Sequence, residues 1–244
     1  MGFLDDLFQN SKFLNGGRSD ETSAGKPHDA AEPAAAKPKA PINIEVPVTT
    51  RPSTGSDPDS PVPFGYKCSW LCVKSDSPLD VIEKLGLKNA EPSNWDKGIE
   101  MAYNGYRFVS PVLDGYVLVV NIGMDMLTVA SELLDNMAEK FPELQFFVTQ
   151  RVSDYHAWAK YVNGVMIRGY GWCGCDGTLF LNRGELTPEE ARLGFTNLLP
   201  NEEADWEAYE TPDEEYVMRL AAAWGIDPSF SAKDYPKSVG YICK

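Results

Sequence analysis

Asn163-Gly164 constrains this chain more than any other dipeptide. Strand-like runs flank it from Asp154 to Trp172 (DYHAWAKYVNGVMIRGYGW). Both positions of an Asn-Gly turn tolerate φ > 0, which makes the pair the strongest short signal for a two-residue β-hairpin. So short a turn fixes the register. Without irregularities, Val162 faces Val165, Lys160 faces Ile167, Trp158 faces Gly169, His156 faces Gly171 and Asp154 faces Cys173. On the other face Tyr161 meets Met166, Ala159 meets Arg168, Ala157 meets Tyr170 and Tyr155 meets Trp172. Large side chains then lie over glycine or alanine, as a packed sheet requires.

Around this hairpin the chain divides into three parts. Residues 1–14 hold Phe3, Leu4, Leu7 and Phe8 at helical spacing, a short amphipathic helix that needs its own domain or a partner to dock on. Residues 15–63 form a Pro/Ala/Ser-rich linker, with nine of the 18 prolines between Pro27 and Pro63. Such a segment cannot bury enough apolar surface to offset its ordering entropy, and is expected to be disordered. The alternation of Ile42, Ile44, Val46 and Val48 allows one short edge strand there, with Pro47 confining it to an edge.

Residues 64–244 read as a single globular domain. Tyr66–Lys74 is a strand. Ser77, Pro78 and Gly86 bracket a helix as N-cap, first position and C-terminal glycine. Trp95–Tyr103 is a weaker helix. Strands follow at Arg107–Val112 and Tyr116–Ile122, then a helix over Met126–Phe141 and a strand over Leu144–Gln150. After the hairpin, Thr178–Asn182 pairs back as a third strand of a meander. Thr187-Pro188-Glu189-Glu190 is a capping box, and Tyr216–Trp224 is the last helix, with an irregular tail from Asp227. Hairpins outnumber βαβ crossovers. The fold class is therefore α+β: a mostly antiparallel sheet, a β-meander in the C-terminal half and helices packed on it.

The net charge of −14 argues against nucleic acid and anionic membrane surfaces, and leaves a basic protein partner open. No apolar run is long enough to span a membrane, and the N-terminus lacks a secretory pattern. The odd count of five cysteines suits reduced thiols in the cytoplasm.

Three constellations carry chemistry. The hairpin register puts Asp154, His156 and Cys173 on one face, where carboxylate, imidazole and thiol suit a thiolate nucleophile. The competing reading is a packed histidine and a core cysteine. Cys68 and Cys72, with Cys173 and Cys175, offer four zinc ligands, or three of them with His156, if their strands are adjacent, although Cys68 and Cys72 are too far apart along one strand to share an ion. The glycines of the hairpin are followed by no helix that would cradle a phosphate. The acidic stretch 202–215 interleaves Glu203, Asp205, Glu207 and Glu210 with Trp206 and Tyr209. Acidic residues around aromatics make an anchor surface for a basic protein, against the plainer reading of a solvated loop.

Trp95, the FVSPVLDGYVLVV segment at 108–120, DYHAWAK at 154–160, IRGYGW at 167–172 and GELTPEEARLGF at 184–195 resemble a group of uncharacterised bacterial acidic α+β proteins. Those in turn resemble immunity-type proteins of bacterial toxin systems. The shared motifs are structural, so the resemblance implies no catalytic residues and no cofactor. It implies a cytoplasmic, non-enzymatic module that binds a basic toxin or effector. The alternatives are a thiol-dependent enzyme using Cys173, His156 and Asp154, or a zinc-stabilised module.

Overall fold

β1 (Ser69–Lys74) runs through the middle of a nine-stranded antiparallel sheet in the computed structural model of the chain. The structure describes residues 55–121, 132–175, 177–195 and 211–244. The expected N-terminal helix, the strand at 42–48, the front of the helix from Met126 and the partner-binding residues Glu203, Asp205, Trp206, Glu207, Tyr209 and Glu210 lie outside them.

The other strands are β2 (Glu91–Ser93), β3 (Arg107–Val109), β4 (Tyr116–Val120), β5 (Glu143–Gln150), β6 (Tyr155–Val162), β7 (Val165–Cys173), β8 (Thr178–Arg183) and β9 (Gly240–Cys243), in the spatial order β2-β9-β3-β4-β1-β5-β6-β7-β8. The helices are α1 (Pro78–Leu85), α2 (Trp95–Tyr103), α3 (Glu132–Ala138), α4 (Pro188–Arg192) and α5 (Glu214–Trp224). Alternation along each strand splits the core in two. On one face Trp70, Phe108, Leu118, Phe147 and Trp158 pack against α2 and α5. On the other, Leu71, Val119, Phe146 and Tyr161 pack against α1 and α3. The sheet is thus the middle layer of three, and its apolar strand centres read as near-continuous hydrophobic runs for that reason.

Local signals set several boundaries. The Ser77 side chain accepts from the Asp80 amide at 3.2 Å, and Gly86 closes α1 in the left-handed conformation at φ 70°. Thr187 and Glu190 form the expected reciprocal capping box.

The tail is not irregular throughout: β9 fills the slot between β2 and β3, pairing Ile242 with Glu91 on one side and with Phe108 on the other. Four residues are too short a run to betray a strand by pattern. The chain also joins the domain before Phe64. The Asp59 carboxylate accepts from the backbone amides of Trp95 at 2.7 Å and Asp96 at 3.0 Å, adding to the Asn94 cap of α2. Asp59 further bridges to Ser238.

The hairpin turns at Asn163 (φ 51°) and Gly164 (φ 78°), both positive as the sequence requires. Val162 faces Val165 and Tyr161 faces Met166, but a bulge then puts one extra residue, Ile167, on β7. Beyond it the expected register shifts by one. Lys160 faces Arg168, Ala159 faces Gly169, Trp158 faces Tyr170, Ala157 faces Gly171, His156 faces Trp172 and Tyr155 faces Cys173. A bulge re-aims the side chains on its far side. Here it turns Arg168 toward the face that carries Glu190. Trp158 consequently stacks on Tyr170, with ring centroids 4.7 Å apart, instead of covering a glycine. Small residues still receive large ones, from a different strand. Gly171 is covered by the Phe180 ring of β8, which in turn stacks on Tyr155 at 5.6 Å.

Candidate functional site

The turn from β5 to β6 (Arg151–Asp154) and the start of α5 enclose a cleft of about 380 Å³ lined by Tyr66, Arg151, Asp154, His156, Asp213, Glu214 and Glu215. Each side chain is there for a local reason. Asp213 caps α5, accepting from the Tyr216 amide at 2.7 Å. Glu214 and Glu215 follow in the first turn, where the helix dipole favours negative charge. Glu214 is buried. The Thr149 hydroxyl shares its proton between Glu214 Oε1 at 3.2 Å and the Gly65 carbonyl at 3.1 Å. Tyr66 donates to Glu215 at 2.6 Å, and that bond pushes its phenol up from the ordinary value. Arg151 stands 4.0 Å from Glu214, its side chain 64% exposed. An ion pair that loose and that wet contributes little.

Asp154 holds a left-handed backbone (φ 46°), a conformation Asp tolerates better than most residues. Its carbonyl accepts from the Gly174 amide at 2.8 Å, and its carboxylate occupies the space that any side chain at position 174 would need. His156 is 1% exposed. Its Nε2 lies 3.3 Å from Asp154 Oδ1, while Nδ1 is buried with no hydrogen-bond partner. The tautomer with the proton on Nε2 therefore donates to Asp154. Burial lowers the imidazole below its usual value; Asp154, Glu214 and Asp213 pull the other way without winning. At neutral pH the ring is uncharged, and the cleft carries three net negative charges from four carboxylates and Arg151.

A second polar cluster lies on the same sheet face, farther along the hairpin. Arg168 and Glu190 are both fully buried and paired at 2.8 Å. Glu190 also accepts from Trp158 Nε1 at 2.8 Å and from the Thr187 amide at 2.8 Å. Arg168 donates to Asn182 at 2.8 Å and lies over the rings of Tyr170 and Phe195.

The register shift separates the thiolate constellation. Asp154 and His156 adjoin as expected, but His156 belongs to the Trp158 face of β6, while Cys173 packs among Tyr155, Ala157 and Ala159 on the opposite face. The four proposed zinc ligands do not converge either. Cys68 and Cys72 lie on the α5 side at β1, with β5 and β6 between them and β7. Among the described residues no group of three or more His, Cys, Asp or Glu stands where it could hold a metal. No helix among them is long and apolar enough to cross a membrane. Burial pushes the thiols of Cys68, Cys72 and Cys243 up, to about 12 for Cys68 and about 11 for Cys243.

Tyr66 and Arg151 carried no sequence signal. The run Asp213-Glu214-Glu215 did, as an acidic helix start at the end of the acidic stretch. Comparison with protein-family models, with curated proteins and with solved structures finds no match.

Proposed function

We propose that this chain is a non-enzymatic protein-binding module of the cytoplasm, and that the cleft between the β5–β6 turn and α5 receives a basic segment of another protein. The observation that carries this reading is the convergence of Asp154, Asp213, Glu214 and Glu215 around a neutral His156, with one loosely held Arg151 as the sole cation among the lining residues. A lysine or arginine entering the cleft gains from several carboxylates at once. Arg151 swings aside at small cost, because its contact with Glu214 is long, at 4.0 Å, and its own side chain lies mostly in solvent. The field of a chain with net charge −14 steers such a partner inward. The immunity-type role implied by the sequence resemblance fits this chemistry: an acidic protein that covers a basic toxin or effector.

An oligolysine peptide titrated at low salt tests it. Binding should weaken about tenfold, or ~1.4 kcal/mol, in the Asp154→Asn/Glu215→Gln double variant. The affinity should also fall with added salt. The control double variant Glu83→Gln/Glu185→Gln removes the same charge from exposed sites remote in sequence, and should change binding by less than about twofold. Equal loss in both double variants would reduce the interaction to bulk charge and sink the cleft as its site.

A further inference from the structure

The β7–β8 turn holds a cysteine pair that the cleft does not use. Cys173 ends β7 with its side chain buried; Cys175 is exposed one residue beyond Gly174. Their sulfurs lie 2.6 Å apart. The two free thiols are thus in direct contact. Gly174, between the two cysteines, is held in place from outside. The Gly174 amide donates to the Asp154 carbonyl at 2.8 Å, and the Asp154 carboxylate leaves no room for a side chain at position 174. Cys173 is anchored in the core beside Tyr155, which fixes one of the two thiols.

We propose that Cys173-Gly174-Cys175 is a reversible redox clip that closes to an intramolecular disulfide by exchange with a small-molecule disulfide such as oxidised glutathione. Cys175, the accessible thiol, attacks one sulfur of the small disulfide as its thiolate, and one equivalent of small thiol leaves. Cys173 then attacks the Cys175 sulfur of the mixed disulfide and expels the second equivalent. The protein loses two protons and two electrons; the small disulfide gains both and becomes two thiols. The reverse exchange, with two equivalents of small thiol, reopens the clip. A ring closed over a single intervening residue is strained, and strained or exposed disulfides lie at the readily reduced end of the scale. The pair is therefore suited to switching, and a stable structural staple is not expected of it. The other thiols, Cys68, Cys72 and Cys243, are buried with their thiolates disfavoured, and stay silent under the same conditions.

Incubation of the full chain with oxidised glutathione, followed by acid quench, alkylation and peptide mapping, tests this. The wild type should yield a peptide containing both Cys173 and Cys175 that has lost two hydrogens and carries little glutathione. The Cys173→Ser variant cannot resolve the mixed disulfide, and should accumulate glutathione on Cys175 at least about tenfold above wild type, given the high effective concentration of the neighbouring thiol. Cys175→Ser changes an exposed residue, and should leave Cys173 unmodified. Should Cys173→Ser fold poorly, the wild-type map decides alone. A wild-type chain that keeps glutathione on Cys175, or that shows no internal disulfide at glutathione concentrations that modify Cys175, overturns the proposal.

Discussion

Two polar clusters share one face of the sheet and differ in almost every respect. Arg168 and Glu190 are sealed, each carrying several hydrogen bonds. Around His156, carboxylates crowd an open cleft, one ring nitrogen has no partner and the nearest cation is mostly in water. A buried charge survives only when every demand on it is met. The sealed cluster therefore reads as architecture: it ties α4 to the hairpin and sets the register beyond the bulge. The open cluster leaves charge unneutralised where solvent reaches it, as the proposed binding of a basic segment requires.

The sharpest way to break this contrast is to strip one partner from the sealed pair. Glu190→Ala leaves Arg168 buried without its counterion, and should cost about 3–5 kcal/mol in urea denaturation. A cost below about 1 kcal/mol would mean that water reaches the site and that the two clusters are alike. Gly171→Ala probes the packing behind the hairpin. A methyl group there runs into the Phe180 ring and should displace it from Tyr155, at about 1–3 kcal/mol, read as a lower unfolding midpoint.

A smaller effect should come from His156. Its pKa is lowered in the folded state, so the unfolded chain binds the proton more readily. The associated stability is fully present above about pH 6.5 and is lost as pH falls through that value toward the folded pKa. Thermal midpoints measured between about pH 7.5 and about pH 5.5 should drop in the wild type and drop less in His156→Gln. Equal slopes would show that this ring is not the group that titrates. The smallest effect belongs to the cleft itself. Asp154→Asn keeps a residue that tolerates the left-handed backbone, and should move stability by no more than about 0.5 kcal/mol while it weakens oligolysine binding. A large stability loss would move Asp154 into the architectural class.

Features governed by a few neighbouring residues were legible in the sequence. The Asn163-Gly164 turn, the Ser77 and Gly86 caps and the Thr187–Glu190 box each depend on residues within a few positions of one another. The α+β class followed from their order. The features that could not be read depend on encounters between distant segments. The bulge at Ile167 is worthwhile only because Arg168 meets a glutamate 22 positions later, and nothing in a capping box announces that its glutamate will also neutralise a buried guanidinium. That single inserted residue undid the expected meeting of His156 with Cys173. The pairing of Asp154 with His156 survived because the two are local to one strand start. Tyr66 and Arg151 enter the cleft only through the finished sheet, and so left no trace in the sequence.

β9 has a consequence for how the chain is made. Within the sheet β2 meets β3 only through Gly240–Cys243, so on a ribosome β2 and the edge of β3 that faces away from β4 stay unpaired until these four residues have emerged. The strands from β3 to β8 can zip together from the chain already outside the exit tunnel, whereas that flank closes last. A chaperone that shields nascent edges would find its longest task there.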